Sequence, residues 1–122
     1  MKVKKLMWNG NKSSDAEAII TDGKYECLTF CHPCNILEGQ ELSEPLGCFM
    51  SEEIMVSFTH DFSLTKDSGS YFGYSGVGQL VDKEARLIKL GHLRLTLDGY
   101  LPGDLENGQF VGFKCSRIDI LD

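Results

Sequence analysis

The chain has 122 residues, of which 42% are hydrophobic and 25% charged, and its formal net charge is −6. This length and composition predict a single soluble domain over residues 1–122 with one hydrophobic core. The negative charge makes binding to nucleic-acid phosphates unfavourable, because such binding draws on lysine and arginine, and it suits a basic protein partner.

The basic N-terminus leads into a first predicted strand, Val3–Trp8, and the apolar residues stop at Asn9-Gly10. No long apolar run follows, so the sequence predicts neither a signal peptide nor a membrane span. We therefore expect a cytoplasmic protein. In that reducing compartment the five cysteines should be mostly free thiols.

The next two predicted strands, Ala16–Thr21 and Lys24–Phe30, flank Asp22-Gly23, a dipeptide typical of a two-residue hairpin turn. A competing interpretation is a short helix, because Ser14 to Glu17 matches a capping box. The Asp-Gly turn and the strand after it favour the hairpin.

The middle of the chain is less regular. Residues Asn35 to Glu53 predict a long connection with one helical turn near Ser51–Glu53, because glycine and proline interrupt any periodicity. Strand character resumes at Ile54–Thr59. The polar segment Asp61–Ser70 predicts a loop.

The last third has the clearest pattern. Strands are predicted over Tyr71–Val81 and Arg86–Leu90, and then over His92–Leu97, where Leu93, Leu95 and Leu97 alternate onto one face. Such alternation is typical of a strand with one buried side.

Near the C-terminus the alternation changes phase. Val111, Phe113 and Cys115 share one parity, whereas Ile118 and Ile120 lie on the other. A bulge near Ser116-Arg117 would bend one strand so that it serves two parts of a sheet. Together the segments predict an all-β fold of roughly seven to nine strands, a small closed or partly open OB-like barrel, with a two-sheet β-sandwich as the alternative.

The cysteines include a Cys-x-x-Cys unit, Cys31 to Cys34. Redox catalysis by such a unit needs a following helix, and this sequence reaches a glycine within about one turn. A structural zinc site using Cys31, Cys34 and Cys48 is an alternative, although no second closely spaced pair exists. We favour a third interpretation, in which Cys27, Cys31 and Cys115 pack as small apolar side chains.

Aromatic residues cluster at Tyr71, Phe72 and Tyr74. On a strand they could form a stacking surface that, with Arg94, binds single-stranded nucleic acid in the manner of OB folds. We favour a second interpretation, in which Phe72 and Tyr74, which share a face, belong to the core.

No spacing in the sequence indicates a catalytic set, a cofactor or a resident metal, so we expect a non-catalytic binding module rather than an enzyme. Its expected partner is another protein, and the negative charge favours a basic one, as for small acidic immunity or inhibitor proteins. An unpaired sheet edge would also allow a homodimer. The expected contact surface consists of the acidic residues of the irregular connection: Glu38, Glu41, Glu44, Glu52 and Glu53.

Overall fold

The computed structural model describes residues 1–10 and 14–122, and these residues form an all-β fold. No helix in the described part of the chain is long and apolar enough to cross a membrane. The described strands are β1 (Lys2–Trp8), β2 (Ala16–Thr21), β3 (Glu26–Cys31), β4 (Leu46–Phe49), β5 (Glu52–Val56), β6 (Ser63–Lys66), β7 (Tyr74–Asp82), β8 (Leu87–Leu90), β9 (Leu93–Leu97), β10 (Phe110–Cys115) and β11 (Arg117–Asp119).

All eleven strands belong to one mixed sheet, in the order β1-β2-β3-β11-β4-β9-β8-β7-β10-β5, with β6 paired beside β7. Most neighbours are antiparallel, but β11 runs parallel to β3 and β4 runs parallel to β9. Within the described residues the path runs from β1 to β5 and does not close on itself. Of the two predicted forms of the barrel, closed and partly open, the closed form is therefore wrong, because no hydrogen-bonded pairing between described residues joins β1 to β5.

The predicted phase change near the C-terminus is confirmed. Strand β10 pairs with β7 and β5, and β11, after the single residue Ser116, pairs with β3 and β4. Val111, Phe113 and Cys115 are buried, and burial then resumes on the opposite parity at Ile118. At the junction the backbone N–H of Ser116 donates to the carbonyl of Phe49 over 3.0 Å. One bent stretch of chain thus joins two regions of the sheet.

The hairpin between β2 and β3 is confirmed, but its turn is longer than predicted. Thr21 pairs with Glu26, so four residues, Asp22 to Tyr25, form the connection instead of two. The Asp22 carboxylate makes this turn stable, because its Oδ1 accepts the backbone N–H groups of Lys24 and Tyr25. The competing helix at Ser14 is wrong, since Ala16 already begins β2.

Two expectations for the middle of the chain are also wrong. The segment that predicted a helical turn at Ser51–Glu53 enters β5, and the connection before it contains β4. The carboxylate of Asp98 accepts the backbone N–H groups of Met50 and Ser51, and this contact directs the chain from β4 into β5. The predicted loop Asp61–Ser70 contains β6.

The core follows the alternation of the strands, whose buried side chains define the inner side of the sheet. Leu93, Leu95 and Leu97 of β9 are buried, as predicted. Their neighbours include Leu90 and Ile88 of β8, and the described residues leave no buried side-chain nitrogen or oxygen without a hydrogen-bond partner. The inner side is thus filled, and exposed side chains lie on the outer side.

Candidate binding face

Neighbouring strands β3, β11 and β4 place three large side chains next to one another on the outer side of the sheet. Cys48 and Ile118 are buried and directly paired, so the adjacent pair, Phe49 and Arg117, faces outward. Phe30 of β3 pairs with Asp119 of β11, two positions along from Arg117, and shares that side.

The guanidinium of Arg117 lies between two aromatic rings. Its central carbon is 4.8 Å from the ring centroid of Phe30 and 4.9 Å from that of Phe49. The carboxylate of Asp119 accepts Nε over 2.6 Å and Nη2 over 3.0 Å, a bidentate ion pair that fixes the plane of the guanidinium. A planar cation held in this way is available for cation–π contact with both rings.

Further aromatic rings continue the row from Phe30. Phe72 meets Phe30 edge to face at 6.1 Å, and Tyr71 meets Phe72 in the same manner at 4.7 Å. The hydroxyl of Tyr71 donates to the Glu17 carboxylate, and this hydrogen bond raises the pKa of Tyr71. We call the row Tyr71, Phe72, Phe30, Arg117 and Phe49 the aromatic ladder.

A shallow pocket of about 390 Å³ adjoins the Phe49 end of the ladder. Gly47 is one of the residues that line the pocket, and a Cβ added at Gly47 would lie 3.3 Å from the side chain of Leu121. We call it the Gly47 pocket. Its charged lining residues are Glu84, Arg86, Asp98 and Asp119.

The structure separates the residues that the sequence grouped as a nucleic-acid surface. Tyr71 and Phe72 belong to the aromatic ladder. Tyr74 is 7% exposed, and its hydroxyl accepts the backbone N–H of Leu28 over 2.8 Å. Arg94 lies on β9, where its Nη2 donates to the carbonyl of Ser43. The predicted grouping is therefore not brought together as one surface.

The five glutamates of the predicted acidic surface also do not lie together. The Glu38 carboxylate accepts the backbone N–H of Leu6, and Glu41 lies 3.5 Å from the N-terminal ammonium, so both are next to β1. Glu52 and Glu53 belong to β5, at the opposite end of the strand order. The remaining member, Glu44, donates its backbone N–H to the C-terminal residue Asp122.

All five cysteines are buried free thiols, in agreement with packing as small apolar side chains. Burial raises the pKa of Cys27 and of Cys31 to about 12, and a hydrogen bond with Cys34 adds to the shift at Cys31. Cys48 shares a hydrogen bond with Cys115 instead. Among the described residues, no group of three or more His, Cys, Asp or Glu side chains is arranged to hold a metal ion.

Three ladder residues, Phe30, Arg117 and Phe49, were not identified from the sequence. A signal exists only for Phe30, which lies between the inward-facing Cys27 and Cys31 at the opposite parity to Cys31. Comparison with known proteins finds no matching family model, no similar curated protein and no similar solved structure.

Proposed function

We propose that this chain is a non-catalytic binding module that recognises another protein through the aromatic ladder and the Gly47 pocket. The main support is the geometry of Arg117, whose guanidinium is held between Phe30 and Phe49 by a bidentate bond to Asp119. Tyrosine and arginine dominate the energetics of protein interfaces, and side chains already held in place lose little entropy on binding.

The charges on this face favour a protein over a nucleic acid. Asp119 neutralises Arg117, and among the described residues that line the Gly47 pocket the one cation, Arg86, is accompanied by Glu84 and Asp98. At the other end of the ladder, Nζ of Lys66 lies 5.9 Å from the ring centroid of Tyr71. Stacking of bases on aromatic rings gains affinity when many cations also contact the phosphates, and these are few. A partner with basic side chains, as for an immunity or inhibitor protein, suits it better.

The overall architecture and the location belong to the same proposal. The bent stretch formed by β10 and β11 favours a partly open, OB-like barrel over a two-sheet sandwich, because this one stretch pairs with two separate parts of a single sheet. Five free thiols suit the reducing cytoplasm.

Affinity capture from lysate of the source cells tests the function. The bait is the wild-type chain, and each capture is repeated after nuclease treatment. Tyr71→Ala removes an outer ring of the ladder, and Tyr100→Ala, which removes a ring that is 89% exposed, is the matched control. We expect a stoichiometric protein that survives nuclease, is retained by Tyr100→Ala and is lost with Tyr71→Ala.

Other outcomes would contradict the proposal. Release of the captured material by nuclease would favour the single-stranded nucleic-acid alternative, and equal capture by both variants would remove the ladder from the interface. The zinc alternative at Cys31 and Cys34 has its own test. About one zinc per chain in protein purified without chelator, lost in Cys31→Ser, would support it.

A further inference from the structure

The two ends of the sheet differ in how their outer edges are covered. At the β1 end, the segment Gly39–Leu42 lies along the strand. The N–H of Val3 donates to the carbonyl of Gln40 over 2.9 Å, and the N–H of Gly39 donates to the carbonyl of Val3 over 2.7 Å. The other end of the order is β5, which pairs with β10 on one side. Proteins usually protect such edges, because an open edge is a template for another strand.

The register shows which backbone groups of β5 point outward. Val56 is opposite Val111, and the N–H of the next residue, Ser57, donates to the carbonyl of Phe110 over 2.8 Å. In an antiparallel pair, hydrogen-bonded and non-hydrogen-bonded residues alternate. Ser57 and Met55 therefore direct their backbone groups towards β10, and Val56 directs its N–H and C=O away from the sheet.

The side chains along this edge divide into an acidic and an apolar part. Glu52 and Glu53 are exposed at the start of β5. Met55 is 59% exposed, and Phe58, just beyond the strand, is 99% exposed. Lys114 of β10 is opposite Glu52, so one cation accompanies the two carboxylates.

We propose that the outer edge of β5, with which no other described strand pairs, accepts an extended segment of a partner protein as an added antiparallel strand. The segment carries lysine or arginine opposite Glu52 and Glu53 and apolar side chains opposite Met55 and Phe58. Outward main-chain groups supply affinity in this mode of recognition, and the side-chain pattern supplies specificity. The edge is separate from the aromatic ladder, so the proposal does not depend on that surface.

Charge decides between a foreign strand and a second copy of this chain. Each copy has a net charge of −6, and the edge Glu52–Phe58 contains no lysine or arginine to meet the carboxylates of its counterpart. A basic segment gains electrostatic attraction at the same position.

The probe is a capped synthetic peptide of about eight residues, the length of an ordinary strand, with valine and threonine alternating in its first half and valine and lysine in its second. Antiparallel pairing then brings the lysines to Glu52 and Glu53. Two matched peptides are used, one with glutamate for each lysine and one N-methylated at alternate residues. Binding is followed by the backbone amide NMR shifts of the full chain.

We expect the parent peptide to shift amides from Glu52 to Phe58, the glutamate peptide to bind at least about tenfold more weakly, and the N-methylated peptide not to bind. Glu53→Gln should weaken the parent peptide several-fold, whereas Glu84→Gln and Tyr71→Ala should not. No shift on β5 at millimolar peptide, or equal binding of the lysine and glutamate peptides, would overturn the proposal. So would shifts on β5 that depend on protein concentration without peptide, because a second copy would then occupy the edge.

Discussion

Arg117 is the residue on which the candidate face depends most directly. Its guanidinium contacts Phe30 and Phe49 on opposite sides and uses two nitrogens to bind Asp119. A lysine ammonium is compact and strongly hydrated, so it cannot stack between two rings or form a bidentate bond. Replacing Arg117 with lysine would therefore keep the positive charge but lose the stacking between the two rings and the bidentate bond to Asp119.

We therefore predict that Arg117→Lys lowers the free energy of unfolding by about 1 kcal/mol, the sum expected for partly exposed cation–π and ion-pair contacts. Urea denaturation with an unchanged m-value measures this. Arg86→Lys, an exposed arginine in the Gly47 pocket, is the matched control and should stay within ~0.5 kcal/mol of wild type. Equal stability of Arg117→Lys and wild type would show that the stacking of Arg117 between Phe30 and Phe49 contributes nothing to the free energy of unfolding.

Two turns of the sheet are joined by one carboxylate, that of Asp22. Its Oδ1 accepts N–H groups within the turn after β2, and its Oδ2 accepts the N–H of His92, between β8 and β9, over 2.7 Å. Burial alone would raise the pKa of Asp22, but the donors at Tyr25, His92 and Lys24 outweigh it and hold the pKa below 3.8.

A carboxyl group with a lowered pKa in the folded state stabilises the fold above its unfolded pKa and loses that contribution as the pH falls through the folded value. We predict that Asp22→Asn lowers the free energy of unfolding by about 1 kcal/mol at pH ~7, because a neutral amide accepts these hydrogen bonds more weakly than the charged carboxylate does. The difference from wild type should shrink below pH 3.8, the ordinary value for this group. Urea midpoints across this range measure it, with exposed Asp104→Asn as control. A difference that stays constant with pH would contradict the role of the charge.

Among the strands, the sequence predicted most and missed two short ones. The alternation of leucines in β9 and the phase change between β10 and β11 were sufficient to place both. By contrast, β4 and β6 have four residues each, which is too short for a period to be recognised in the sequence, although burial does alternate along β4. The turn before β5 depends on Asp98, a contact between residues far apart in sequence, which local patterns do not contain.

At the scale of the whole molecule, the site could not be predicted because pairing across the sheet assembles it. Phe30 and Phe49 are brought to the two sides of Arg117 by one parallel and one antiparallel neighbour of β11. Residue spacing specifies neither pairing. For the aromatic cluster, the favoured interpretation placed Phe72 in the core with Tyr74, but only Tyr74 is buried and Phe72 is half-buried beside the exposed Tyr71. Net acidity and the absence of a catalytic pattern suggested a binding protein, but the five glutamates predicted as its contact surface lie on separate parts of the sheet.

Photocrosslinking in the source cells measures whether the outer aromatic face contacts a protein partner. A benzophenone amino acid replaces Phe49 at the edge of the ladder in one variant, and Tyr100 in a control variant with an exposed ring elsewhere. The benzophenone reacts with C–H bonds within a few ångströms, so the adduct reports what lies against that position.

We predict a discrete protein adduct of constant mass at position 49, resistant to nuclease, and none at position 100. Because Phe49 also contacts Arg117, thermal melting of both variants should first show that each is folded. Adducts of equal yield at the two positions, or an adduct at position 49 that nuclease removes, would contradict the claim that this face recognises a protein.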